Sequence, residues 1–381
     1  MDSTQKIGVL NFQYSDHNYG AVLQAAAIEQ FLKSNGYNAE HIDYISSPEI
    51  KGNRVIIQLK CILKKLGLSD SVRKMLGKQV HLTPVVTNEK VFEEFRKNWL
   101  VRTKCFRNFE ELKKTDFNFK AVIVGSDQVW RPSQFTRFSD YKVYFLSFLP
   151  SQVKKISYAA SFGIDKWEVS DANVTNEIKK YIQDFNAVSV REDSGVNICA
   201  TIFNVDAEHV LDPTLLVGSD FFNSIIAKEI RADAYYDAIV YYKLDIDQHF
   251  IDSVTILGRK KCKPVKNIYY NQVDGRNEYY SVPEWLSNIK NANFVITDSF
   301  HCVCFCLLFQ KEFLCCVNES RGLSRLQSLL GMLELTDRIC SSKDDFDNKL
   351  NSLKPIDYSK VGDILNKHRD ISKAFLLSNL S

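Results

Sequence analysis

Four short polar clusters in this sequence combine chemically capable residue types with positions just beyond apolar runs. Asp16-His17-Asn18-Tyr19-Gly20 follows the run at 7–12, and Gly125-Ser126-Asp127-Gln128 follows AVIV at 121–124. Arg191-Glu192-Asp193 follows AVSV, and Asp298-Ser299-Phe300-His301 follows FVIT. Arg191 offers a fixed fork of donors that matches a carboxylate or phosphate. Helix starts at Gly20–Ala21 and His301–Cys302 would add unpaired backbone N–H groups and the positive end of a helix dipole. Asn18 can cap the first of these helices, and Gly20 can shape the turn into it. Asp127, after Gly-Ser, is also a good local turn former. The expected ligand is therefore an anionic small molecule. It is not a dinucleotide held in the usual way, because the sequence has neither a P-loop nor GxGxxG. His17, His41, His81, His209, His249 and His368 have no comparable context.

The elements that must position these residues are legible as short runs rich in Val, Ile, Tyr and Phe. Besides 7–12 and 121–124 they lie at 155–159, 187–190, 238–242, 294–297 and 313–317. They mostly do not alternate, which is the pattern of strands covered on both faces. Between them the apolar spacing turns helical. Val22, Leu23, Ala26, Ala27, Ile28 and Phe31 form one broad stripe, with Gly36 marking the helix exit. Alternating strands and helices imply an α/β fold of parallel sheets with helices on both faces.

A chain of 381 residues is long enough for two such domains. A break falls near Asp212-Pro213-Thr214, because proline does not continue a central strand. The expected division is 1–212, 213–340, and a C-terminal part, 341–381, whose helical stretch at 364–380 packs back on the first domain. In open parallel sheets, ligands bind beyond the carboxyl ends of the strands. Four clusters at such ends point to one site assembled from both domains.

Composition narrows the function only by exclusion. The 49 basic and 46 acidic residues give a net charge of +3, which does not argue for nucleic acid as a partner. The start, MDSTQKIGVLNF, lacks the pattern of a secretory signal, and no run reaches the roughly 18–20 apolar residues of a membrane span. The expected location is the cytoplasm. Most of the ten cysteines are expected to be small, buried, reduced side chains, and Cys302, Cys304 and Cys306 match no zinc spacing. The stretch 51–78 differs: eight basic residues stand against Asp70 alone, with Val55, Ile56, Leu59, Ile62, Leu63 and Leu66 at helical spacing. Such a helix can lie peripherally on an anionic membrane surface, or simply turn its apolar stripe to the core.

The order of six motifs makes the reading specific. NYGAVLQ (18–24), VGSDQVW (124–130), YAASFG (158–163), SVRED (189–193), VLDPTLL (210–216) and TDSFH (297–301) together resemble the polysaccharide pyruvyltransferase family. The resemblance implies two Rossmann-like domains facing across a cleft, as in GT-B glycosyltransferases, with the first on the acceptor side and the second on the donor side. It also implies phosphoenolpyruvate as donor and two hydroxyls of one sugar as acceptor, the product being a pyruvate ketal and free phosphate. Arg191 then matches the arginine that grips the donor, and His301 the histidine taken as catalytic or donor-binding. Other members carry an arginine two positions before that histidine, where this chain has Ser299; Lys243, at the end of AIVYY, is a candidate substitute. Asp127 is a candidate base or acceptor-binding group. Neither a metal nor a resident cofactor is required by this scheme.

The acceptor can be a free sugar, a polymer or a lipid-linked saccharide, and the last would suit the basic segment 51–78. Two alternatives stand beside this reading. One is a GT-B glycosyltransferase using a nucleotide sugar, which would need base-stacking and ribose-binding residues in the second domain. The other is a non-catalytic binding member of a polysaccharide assembly complex.

Overall fold

The computed structural model describes residues 6–47, 85–229, 237–243, 246–317, 323–341 and 343–381. The basic segment 51–78, with its expected surface helix, lies outside them. Among the described residues no helix is long and apolar enough to cross a membrane.

Two parallel sheets organise the chain. In the first unit, β1 (Lys6–Leu10), β2 (Asn38–His41), β3 (Ala121–Val124) and β4 (Lys154–Ser157) form a sheet of order β2-β1-β3-β4. A short parallel pair, β5 (Ser189–Val190) and β6 (Glu208–His209), runs on from it through the bridges Ile156–Ala187 and Ala160–Val190. The run at 187–190 is thus mostly extended chain, with a two-residue strand at its end. In the second unit, β7 (Ile239–Tyr242), β8 (Val265–Asn267), β11 (Phe294–Thr297), β12 (Phe313–Cys316) and β13 (Ile339–Cys340) form a sheet of order β13-β12-β11-β7-β8. A small hairpin, β9 (Asn271–Val273) and β10 (Arg276–Glu278), stands apart. The central strands are buried along their length, as strands covered on both faces must be.

The helices that matter for the site are α1 (Tyr19–Ser34), α2 (Lys90–Trp99), α3 (Asp193–Ile198), α4 (Pro213–Val217), α5 (Phe300–Leu308), α6 (Leu323–Met332) and α7 (Tyr358–Leu380). Helix α1 begins at Tyr19 because the Asn18 side chain accepts from the Ala21 N–H, and it leaves through Gly36 at φ +84°. Helix α4 begins at Pro213, whose missing N–H is no loss in a first turn, and Asp212 caps it. The C-terminal helix α7 is longer than the stretch 364–380. It returns to the first sheet, where Leu376 and Leu380 share a core with Ile7, Val9 and Ile123.

One core joins the units. Tyr19, Val22 and Leu23 of α1 pack with Tyr242, Trp285 and Phe305 of the second unit. The Tyr19 ring stacks on Trp285 at 4.8 Å, and its hydroxyl donates to the Tyr280 carbonyl at 2.9 Å. Burying such large rings supplies most of the adhesion across the boundary. The helix that carries Asn18 and Gly20 is therefore fixed against the unit that carries His301. Among the described residues nine cysteines are free, and seven of them, including Cys302, Cys304 and Cys306, are buried.

Candidate active site

The carboxyl ends of β1, β3, β5, β7 and β11 converge, and a cavity of about 340 Å³ opens between them. Its walls include Asp127, Gln128 and Arg131 from the first unit and Asp298, His301 and Arg325 from the second. Asn18, Ser299 and His17 also reach it. Four of the seven residues proposed from sequence therefore line one cavity: Asn18, Asp127, Ser299 and His301. The other three, Gly20, Arg191 and Lys243, stand behind its walls.

Arg191 is almost fully buried, and its guanidinium is held by carboxylates. Nη1 donates to Asp212 Oδ2 at 2.6 Å and to Ser126 Oγ at 3.3 Å, while Nη2 donates to Asp127 Oδ1 at 3.2 Å. The guanidinium carbon lies 4.4 Å from the centre of the Phe300 ring, which lines the cavity while Arg191 does not. Burial opposes its charge, but Asp212 and Asp127 outweigh that and raise its pKa. Burial likewise raises Asp127, yet Arg191, His301 and Arg325 together hold this carboxyl below the usual range. Asp212 behaves the same way: burial raises it, while His301, Arg191 and the Thr214 N–H depress it further. Both carboxylates are thus held in the anionic form.

His301 lies in the first turn of α5 and presses against α1. Its Nε2 is 3.6 Å from Asp212 Oδ2, beyond hydrogen-bonding distance, and this buried nitrogen makes no hydrogen bond among the described residues. The close approach to α1 requires Gly20, because any side chain there would overlap the imidazole. Gly20 thus acts through His301. Ser299 is the N-cap of α5, its Oγ accepting from the Cys302 N–H at 3.4 Å, so its hydroxyl serves the helix that presents His301. Lys243 Nζ lies 3.5 Å from Asp298 Oδ2 and over the Phe250 ring, where it balances a buried carboxylate. Asp127 itself adopts φ +70°, a left-handed conformation that Asp tolerates better than most residues.

Three contributors escaped the sequence reading. Asp212 was visible as part of VLDPTLL, but it read as a domain break and not as a counter-ion. His17 lines the cavity, though it stood in the first polar cluster and was passed over with the other histidines. Arg325, inside the ordinary helical sequence LSRLQSLLGM, gave no signal at all: only the path of α6 brings its Nη1 to 3.7 Å from Asp127 Oδ1. Around the cavity, four cations (Arg131, Arg191, Lys243, Arg325) face four buried carboxylates (Asp127, Glu192, Asp212, Asp298), so these charges balance before His301 is counted. Among the described residues, no group of three or more His, Cys, Asp or Glu side chains could hold a metal ion.

Fold and site define a two-unit α/β protein with a cleft of buried, opposed charges at the carboxyl ends of both sheets, carrying an imidazole beside a carboxylate. The chain belongs to the polysaccharide pyruvyl transferase family, whose model matches residues 18–320, and it is a transferase. No curated protein matches it. Among solved structures it is similar to a putative UDP-N-acetylglucosamine 2-epimerase from Listeria monocytogenes. That pair is 7% identical with a TM-score of 0.48, over 97% of this chain and 91% of the other. A glycotransferase of kitacinnamycin is similar at 10% identity and TM-score 0.47, over 99% and 97% of the two chains. The UDP-GlcNAc 2-epimerase of Methanocaldococcus jannaschii is similar at 10% identity and TM-score 0.45, over 96% and 99%.

Proposed function

We propose that the chain transfers the enolpyruvyl unit of phosphoenolpyruvate to two hydroxyls of one saccharide, forming a pyruvate ketal and releasing phosphate. The observation that carries this reading is that His301 and Asp127 line one cavity with the cations Arg131 and Arg325, within a chain of the pyruvyl transferase family. Phosphoenolpyruvate brings a carboxylate and a phosphate, which need cationic partners. Its methylene carbon must gain a proton, and an imidazole exchanges protons near neutral pH.

In this scheme His301 passes a proton to the methylene carbon, which becomes the methyl group. The first sugar oxygen bonds to the adjacent carbon, with Asp127 taking up or orienting its proton. The second hydroxyl then displaces phosphate from the same carbon, and its proton leaves with the phosphate. One donor and one diol thus become one ketal and one inorganic phosphate.

The test is phosphate release from phosphoenolpyruvate with and without galactose, mannose and N-acetylmannosamine glycosides, for wild type and His301→Ala. Release that needs an acceptor and disappears in the variant is the expected result. Wild-type rates in His301→Ala would remove His301 from the mechanism. Binding of a nucleotide sugar in the cleft, with no phosphoenolpyruvate binding, would replace the reading with glycosyl transfer.

A further inference from the structure

We propose that Arg325 is the guanidinium that meets the anionic donor, held at the cavity from the second unit by a clasp of Ser328, Asp193 and His209. Two observations of different kinds carry this.

The first is the division of labour between the buried arginines. Arg191 spends Nη1 and Nη2 on Asp212, Ser126 and Asp127 and is not among the residues that line the cavity. Arg325 is buried too, but it forms part of the wall. Its guanidinium carbon lies 5.7 Å from the same Phe300 ring, and its Nη1 points at Asp127 Oδ1, the oxygen that Arg191 also uses. Two guanidinium groups thus converge on one carboxylate oxygen in a desolvated place. Burial and the nearby Arg191 charge lower the Arg325 pKa to about 10. A guanidinium fork on the cavity wall suits an incoming phosphate geometrically.

The second observation is how α6 is pinned. Ser328 follows Arg325 by three positions, so the two share a face of the helix. On that face Ser328 Oγ accepts from the Asp193 N–H and donates to Asp193 Oδ2, both at 3.1 Å. His209 Nδ1 lies 2.9 Å from Asp193 Oδ1, and its Nε2 lies 3.1 Å from the Arg191 carbonyl oxygen. The clasp therefore ties the turn bearing Arg325 to the backbone of Arg191. One arginine comes from each unit, and the register between them is set by a hydroxyl. Arg325 is a binding residue in this account, and Ser328 is a positioning residue.

The inference rests on the phosphoenolpyruvate reading, and two titrants separate their fates. Phosphoenolpyruvate and inorganic phosphate are titrated calorimetrically into wild type, Arg325→Gln, Arg325→Lys and Ser328→Ala, with thermal melts as a check on folding. Arg325→Gln should weaken both anions by roughly 10- to 100-fold, the scale of a hydrogen bond to a charged group. Arg325→Lys keeps the charge without the fork and should recover part of the loss; should the Gln variant not fold, the Lys variant alone must still bind more weakly than wild type. Ser328→Ala should cost several-fold, and Ser328→Thr should restore it. Wild-type affinity for both anions in a folded Arg325→Gln would overturn the assignment. Phosphate binding that depends on Arg325, without any binding of phosphoenolpyruvate, would sink the donor reading and uphold Arg325 as an anion ligand. A wild type that binds neither anion would sink both.

Discussion

Gly20 leaves open the space that the His301 ring occupies. A methyl group at this position would overlap the imidazole at Nδ1 and come within 2.8 Å of the His301 Cβ, so in Gly20→Ala the ring must move. Two effects on stability oppose each other. Alanine is better than glycine inside a helix by about 1 kcal/mol, whereas forcing a methyl into filled space costs about 1–3 kcal/mol. The variant should therefore lose at most about 2 kcal/mol of stability and remain folded. Its rate should suffer far more, because a displaced acid–base group forfeits roughly 10²–10⁴-fold. The assay is acceptor-dependent phosphate release, read as kcat beside a melting curve. A folded Gly20→Ala enzyme turning over at the wild-type rate would refute the idea that α1 sets the working position of His301.

Two further outcomes follow from the buried charges. Asp212→Ala removes the nearest counter-ion of Arg191 and should cost about 3–5 kcal/mol in denaturant unfolding, since a buried charge is left short of its partner; a loss below about 1 kcal/mol would contradict the ion-pair account. Asp127 and Asp212 have carboxyl groups held below their ordinary range in the folded chain. The unfolded chain therefore takes up protons first on acidification, so their contribution is complete above the usual Asp pKa near 3.9 and shrinks as pH falls below it. Melting temperatures between pH 6 and pH 3 should thus fall more steeply for wild type than for Asp212→Asn, and parallel curves would count against it.

The sequence by itself determined the class of fold and pointed to the strand ends where the candidate cavity lies. AVIV is apolar at every position and FVIT at all but its last, a local pattern that double-sided burial explains, and each sends its polar cluster out of the carboxyl end of a parallel strand. The motif order from NYGAVLQ to TDSFH marked the family, whose model matches residues 18–320. Tertiary structure alone decided which side chains face the ligand space. Arg191 was legible as an anion-binding arginine, yet the counter-ions Asp127 and Asp212 and the ring of Phe300 claim it, and they lie far from it in sequence. Lys243 stands at a strand end as expected, but the buried carboxylate of Asp298 takes its charge. Arg325 carries no local signal, because its place at the cavity comes from the crossing of α6 over α3 and from the Ser328 clasp. Periodicity reports burial, which is a property of each segment. The meeting of charges across two units depends on how the segments pack, and no single stretch of sequence encodes that.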